Sequence, residues 1–422
     1  MLSKLFSFVL LFSILFLANC TEKGGVNQSD NSERLIDSGT YKISREVYYD
    51  KILGLLIGSA IGDAMGAPTE MWSRKDIRLH YGFVNSLDTM VRAPSGEGVW
   101  MYNLPAGGTT DDTRWKELMV RFYNAHNSSS VNSQNFAAFV FDSYKKGVEN
   151  LKSTTGYESE AIESAMLEIN WLQEWAPVAK SYAESSASYE QSLHKFYGGE
   201  MTCAGMLYSP IIGAMSPARP SEAYDLGYKM AIFDIGYSRD MTALISAMTA
   251  ESFNSKSSSQ TLLNVIRDVD PQQYFKSRLV GRTSYDVYQK ALNICAEARD
   301  ITFIDHESKT ESQLDSLQRI KAYTLLDRLN QDKPFHPNEI FLVTLTAMIY
   351  ADFHFSKTME FIINYGRDND TSAAVAGAIL GAHYGAGKLP VEDSEMVLKV
   401  NKELLNIDLI ELANSMTDSY FR

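Results

Sequence analysis

The sequence predicts an all-α protein whose folded part is one compact helical domain. Three observations carry that prediction. Trp115, Leu118, Met119 and Phe122 repeat at the i, i+3, i+4, i+7 spacing of an amphipathic helix. Residues 372–382 are rich in alanine, the strongest helix former. Gly54, Gly58, Gly62 and Gly66 recur every four residues, which places them along one stripe of a helix. At 422 residues and 45% apolar content the chain is long enough to bury a large core.

The N-terminus reads differently from the rest. Residues 1–19 carry a single Lys4 and an apolar run over 5–17, too short to span a bilayer comfortably, with the flanks of a secretory signal. Leu17-Ala18-Asn19-Cys20 resembles a bacterial lipobox, which makes Cys20 the expected lipidation site. The alternative is a signal peptide cleaved without lipidation. Residues 21–38 are polar, rich in Ser, Asn, Asp and Gly, and suit a flexible tether. The expected organisation is therefore a signal over 1–19, a lipid-anchored tether over 20–40 and one domain over 41–422. That makes the chain an exported, membrane-anchored lipoprotein of a bacterial envelope. Cys203 and Cys295 are then the remaining cysteines, and export permits either a disulfide or two buried thiols.

The first domain helix covers the glycine stripe, in residues 51–70. Each interior helix glycine costs about 1 kcal/mol relative to alanine, so four of them need a compensating gain. Close approach of another backbone supplies one. Ala374, Gly377, Gly381 and Gly385, with Ala373, Ala378 and Ala382 beside them, form a matching small face near the other end of the chain. Packing the two stripes together draws Asp63, Glu70 and the acids at 368–370 into one cleft. A membrane dimer of the small-xxx-small kind is the competing use of such a stripe, but Asp63, Pro68 and Glu70 interrupt it.

Two acidic clusters precede helices. Thr110-Asp111-Asp112-Thr113 is the first, and Asp368-Asn369-Asp370-Thr371 is the second. No cation lies inside either, although Arg114 and Arg367 stand just outside. Carboxylates this close raise each other's pKa unless positive charge sits between them. A bound hard cation supplies that charge best, since Mg²⁺, Mn²⁺ and Ca²⁺ take carboxylate, hydroxyl and water oxygens. No H-E-x-x-H or C-x-x-C spacing argues for zinc. Helix capping competes with this reading, because Asp and Thr are ordinary N-terminal caps. Capping requires one oxygen, however, and the pattern of two acids plus a hydroxyl occurs twice.

The remaining segments extend the helical pattern. Residues 137–148 and 159–175 show the helical rhythm, with Trp171 and Trp175 four apart and read as core. Residues 255–260 and 308–316 are polar edges, and 340–350 reads as a buried helix. No two of the seven histidines have metal spacing. Phe196, Tyr197 and Tyr208 offer either core packing or a stacking surface for a base. The formal net charge of −13 argues against a nucleic-acid polymer as the main partner, since phosphate backbones favour a basic surface. A small anion remains compatible where bound cations reverse the local field.

Three motifs in order, G-x-x-x-G-x-x-x-G-D-A-x-G-A-P-x-E at 54–70, T-D-D-T at 110–113 and G-R-D-N-D-T-S-A-A-V-A-G-A-I-L-G-A at 366–382, resemble the ADP-ribosylglycohydrolase family. The resemblance implies an orthogonal all-α domain, two magnesium or manganese ions, and hydrolysis of the bond joining ADP-ribose to an acceptor. Thr110, Asp111 and Asp112 are then metal ligands from one side, with Asp368, Asp370 and Thr371 from the other. Two cations about 3.5–4 Å apart orient ribose hydroxyls and acidify water, and Asp111, Asp112 or Glu70 takes the proton. Asp63 matches the family's Gly-Asp-Ala, as a catalytic group or as a buried acid bonded to backbone amides. Metal-free hydrolysis by two carboxylates about 5–9.5 Å apart is the minor alternative.

Departures lie in the middle of the chain. Many members have a loop followed by Met-Arg that lines the diphosphate. Here Leu207 stands where arginine is frequent, and Glu200 adds a charge; Gly198, Gly199 and Gly205 are the amides left for phosphate. Residues 233–237 lack a histidine that many members carry. The expected partner is an ADP-ribosylated protein or small molecule, acted on by a monomer. Two rival readings are a non-catalytic member kept for binding or structure, and a metal-dependent hydrolase of another nucleoside-like or glycosyl substrate.

Overall fold

A helix that carries glycine every fourth residue stabilises a protein only if something lies directly against its backbone, and here another helix does. The computed structural model describes residues 43–91, 103–126, 130–154, 162, 165–166, 169–301 and 310–422. The signal, lipobox Cys20 and tether fall outside the described residues. Seventeen α-helices dominate those residues, and the strands among them are four, each two residues long. The helices that build the site are α1 (Arg45–Gly66), α2 (Asp111–Ala125), α3 (Ser238–Ser252), α4 (Pro337–Tyr350), α5 (Phe355–Tyr365), α6 (Asn369–Tyr384) and α7 (Leu409–Tyr420).

The α1 and α6 pair is the most extensive helix contact in the protein. A Cβ on Gly54 would strike the Gly381 carbonyl, one on Gly58 the Gly377 carbonyl, and one on Gly62 the Ala373 carbonyl. Gly66 abuts the Asp370 backbone in the same way. The register therefore runs through Ala373 rather than Ala374, with Gly377, Gly381 and Gly385 as expected. Lys51 locks the far end: its ammonium donates to Ser252 O, Ala382 O and His383 O at 2.7, 2.8 and 3.2 Å. Those carbonyls end α3 and α6, where a cation complements the helix dipole. On the other side of α1, Tyr48 stacks on Tyr420 of α7 with centroids 4.4 Å apart.

Residues 137–148 lie inside a helix over Ser133–Ser153, and 340–350 lies inside the buried α4, as the patterns predict. The helix read over 159–175 is corrected where it is described. Asn170–Leu172 is a 3₁₀ turn, and an α-helix begins at Trp175. Pro177 explains the start, because proline lacks the N–H an interior turn needs and is tolerated in a first turn. Trp175 serves as core and Trp171 is half-buried, both packing on Trp115 with centroids at 4.3 and 5.2 Å. Phe196 and Tyr208 are core too, and the Tyr208 hydroxyl donates to Met230 O at 2.9 Å. Cys203 and Cys295 are free, buried thiols.

Gly58→Ala tests the helix contact. The added methyl has no room, so we expect a stability loss of about 2 kcal/mol by chemical denaturation. Gly387→Ala, whose Cβ meets nothing within 4 Å, should change stability by less than about 0.5 kcal/mol. Equal effects would show that backbone proximity is not what the stripe provides.

Candidate metal centre

Gly66 ends α1 against Asp370, so the chain leaving α1 enters the region of the second acidic cluster at once. Ala67–Thr69 makes a single 3₁₀ turn and places Glu70, half-buried, at its end. Trp72–Ser73 then pairs antiparallel with Gly366–Arg367, and Met71 N–H donates to Arg367 O at 2.7 Å. This short ladder clamps Glu70 beside the segment that carries Asp368. Gly366 and Arg367 both have positive φ, 85° and 66°. Such a backbone is costly for arginine. Its guanidinium offsets the cost by bonding Glu339 Oε1 and Oε2 at 2.6 and 2.9 Å and Gln331 O at 2.6 Å. Arg367 is thus directed to Glu339 and not to the acids that follow it.

Asp368 precedes α6, yet its side chain makes no cap hydrogen bond. Capping does not account for the second cluster. One carboxylate oxygen from each of Glu70, Asp368 and Asp370 lies within 4.8 Å of the others. Asp368 and Asp370 are buried, and Asp370 Oδ1 has no hydrogen-bond partner among the described residues. A buried carboxylate oxygen without a partner costs free energy unless something positive or donating reaches it.

The first cluster is tied to the second from below. Thr110 caps α2, its hydroxyl oxygen accepting from Asp112 N–H at 3.4 Å. The Thr371 hydroxyl donates to Asp112 Oδ2 at 3.0 Å, and Thr110 Oγ1 lies 3.5 Å from Asp370 Oδ2. Residues about 260 positions apart therefore share one buried oxygen cluster. Asp111 is half-buried at the first turn of α2.

Asp63 explains why the first cluster sits here. Its Oδ1 accepts from Thr110 N–H and hydroxyl at 2.9 and 3.0 Å, and its Oδ2 from Thr113 N–H and hydroxyl at 3.0 and 2.6 Å. One carboxylate from α1 thus anchors the start of α2 from outside. Of the two roles open to Asp63, the buried acid bonded to amides is the one the geometry carries.

The electrostatics follow from burial. Desolvation and then Asp112 push the Asp63 carboxyl up to about 7, against the pull of Thr113, Thr110 and Lys116. Desolvation, Glu70 and Asp112 push Asp368 up to about 8. Asp370 lies well above the ordinary carboxylate range through desolvation, Glu70, Asp368, Asp112 and Asp63. The donors are all oxygens, three acids converge at the second cluster, and one oxygen of Asp370 has no partner among the described residues. These residues fit a hard divalent cation.

Sequence reading missed Lys116. Its ammonium donates to Asp112 O at 2.9 Å and stands 3.4 Å from Asp112 Oδ1, with the residue 1% exposed. Only its i+4 spacing from Asp112 hinted at the contact. The loop over 196–207 offers less to a phosphate than its glycines suggest. Gly205 N–H donates to the buried Asp234 Oδ1 at 2.8 Å, and Gly198 N–H to Lys195 O at 3.0 Å. Glu200 is exposed, and Leu207 is buried.

Comparison with known proteins bears on the whole of this domain. The profile of the ADP-ribosylglycohydrolase family matches residues 44–420. A solved structure described as an ADP-ribosylglycohydrolase-related protein complex aligns over 89% of this chain and 99% of that one, with a TM-score of 0.55 and 14% identity. At that identity the likeness concerns the fold. Among curated proteins, the uncharacterized protein YegU of Escherichia coli (strain K12) is 47% identical over 36 residues. That match spans 8% of this chain and 11% of YegU.

The raised carboxyls predict how the metal-free protein responds to pH. A group whose folded pKa is raised binds its proton more tightly when folded, so stability falls as pH rises from the ordinary carboxylate range through the folded value. For Asp368 that window closes at about 8. Melting temperature in chelator should therefore drop as pH rises from about 4 to about 8, and saturating Mg²⁺ or Mn²⁺ should flatten the drop. A chelated protein whose melting temperature rises over that window would contradict this electrostatic picture.

Proposed function

The chain belongs to the ADP-ribosylglycohydrolase family, and from that premise we propose that it is a divalent-metal-dependent hydrolase that releases ADP-ribose from an acceptor. The observation that carries the proposal is the convergence of Glu70, Asp368 and Asp370 within 4.8 Å, cross-linked to Thr110 and Asp112 by the contact with Asp370 and the Thr371 bond. A buried set of this kind has little structural use without positive charge.

The residues divide the work. Asp368 and Asp370, with Glu70 at the rim, would hold a magnesium or manganese ion. Thr110, Asp111, Asp112 and Thr371 complete the oxygen donors for the second ion that the family resemblance implies. Bound there, a divalent cation supplies Lewis acidity that offsets the carboxylates, orients ribose hydroxyls and makes water easier to deprotonate. Glu70 combines proximity to the buried acids with partial exposure, which suits it to accept the proton of the attacking water. The bond between the ribose anomeric carbon and the acceptor breaks, the acceptor leaves with a proton, and ADP-ribose carries the new hydroxyl. Asp63 holds the start of α2 in place through its bonds to Thr110 and Thr113.

One observation favours a second reading. With the Gly198 and Gly205 amides engaged inside the protein, the diphosphate has fewer donors than the loop's composition promised. A metal-dependent hydrolase of another ribosyl or nucleoside-like substrate uses the same acids and needs no diphosphate cradle. The N-terminal sequence further leads us to propose an envelope lipoprotein held by lipid on Cys20; this reading rests on the sequence alone.

The test uses ADP-ribosylated arginine, serine and nucleotides with the purified protein, with and without chelator. We expect release of ADP-ribose, lost in chelator and restored by Mg²⁺ or Mn²⁺. Asp370→Asn should lower turnover by about 100-fold or more, since even residues that only support a metal ligand contribute about 10–100-fold. Turnover of other ribosyl substrates alone would move the assignment to the second reading. Metal binding with no turnover of any ribosyl compound would make the protein a binding member of the family.

A further inference from the structure

The two halves of the acid centre differ in charge, and the difference lies in the positions of the cations. Over the first half, Lys116 is buried, bonded to Asp112 O and set 3.4 Å from Asp112 Oδ1. Asp112 Oδ2 accepts from Thr371. The Arg114 guanidinium lies within electrostatic reach of Asp111, Glu117 and Asp63. Asp63 itself is held by four donors from Thr110 and Thr113. The second half is arranged oppositely. Arg367, its neighbouring cation, is directed to Glu339 and Gln331. Glu70, Asp368 and Asp370 converge there, and Asp370 Oδ1 is buried with no hydrogen-bond partner among the described residues.

We infer that Lys116 is a built-in cation that takes the charge place of a second metal ion at the first cluster, so that the centre binds one divalent cation tightly at Glu70, Asp368 and Asp370 and a second only weakly. The physical reason is repulsion. A divalent ion that used Asp112 would meet a fixed ammonium on the same carboxylate, and like charges at such distances interact strongly away from bulk water. The ammonium cannot easily withdraw. Its bond to Asp112 O ties it to the backbone of its own helix, and its burial leaves no water to receive it. The inference rests on the metal-dependent reading above and adds the stoichiometry to it.

Manganese titration of the intact protein, followed by electron paramagnetic resonance and calorimetry, tests this without any substrate. The expected result is one tight Mn²⁺ and a second at least tenfold weaker, with no spin-coupled pair at one equivalent. Lys116→Met keeps the apolar stem and removes the charge, and should tighten the second ion at least tenfold while leaving the first unchanged. Lys116→Arg keeps the charge and should keep the two sites unequal. Two ions of equal affinity in the unaltered protein would overturn the inference and leave the metal-dependent reading standing. So would a folded Lys116→Met whose second-site affinity does not move. Absence of any bound ion would overturn both, and the unaltered protein decides these points even if Lys116→Met fails to fold.

Discussion

The site depends on two helix backbones touching. Gly54, Gly58, Gly62 and Gly66 let α1 lie against the carbonyls of α6, and the last of these contacts falls on Asp370. Side chains of ordinary size on that stripe would push the helices apart by the width of a methyl or more. Separations of that order matter in an oxygen cluster whose members lie within 4.8 Å of one another. The helix pair therefore sets the scale of the centre as well as the stability of the core. Lys51 at one end and the Trp72–Ser73 ladder at the other keep the register from sliding.

Burial acts on every acid near this contact, and the outcomes differ with the partners. Asp63 is fully buried and receives four hydrogen bonds, two of them from backbone N–H groups. Asp112 has a hydroxyl and an ammonium. Asp370 has one oxygen with no partner among the described residues. The first is a structural anchor, the second a braced carboxylate, and the third is prepared for a ligand. Residue type alone does not separate them; the donors arriving from other segments do.

Much of this was legible in the sequence, for reasons that can be named. The glycine period and the small face at 373–385 each have a physical cost that only mutual packing offsets, so their pairing followed without coordinates. The two acid clusters were legible because like charge in four residues demands an explanation, and the missing cap at Asp368 supports the one chosen. What escaped depends on long-range geometry. Asp63 reads as a catalytic group or as a buried acid bonded to amides, but no local pattern marks that those amides open a helix 47 residues away. The two-residue ladder at 72–73 and 366–367 is too short to carry an alternation. Lys116 looked like an ordinary helical charge because i+4 pairs are common on exposed faces. Gly198 and Gly205 looked available because a sequence does not reveal where an amide is already bonded.

The distribution of the centre along the chain bears on its history in each molecule. Thr110 and Asp112 are synthesised about 260 residues before Asp370 and Thr371. Until α6 is complete, α1 has no partner for its glycine face and the early acids have nothing to close against. A ribosome-bound or truncated product thus holds half a centre and an uncovered seam. Chemical competence arrives in one step with α6, together with the contact that makes the core whole.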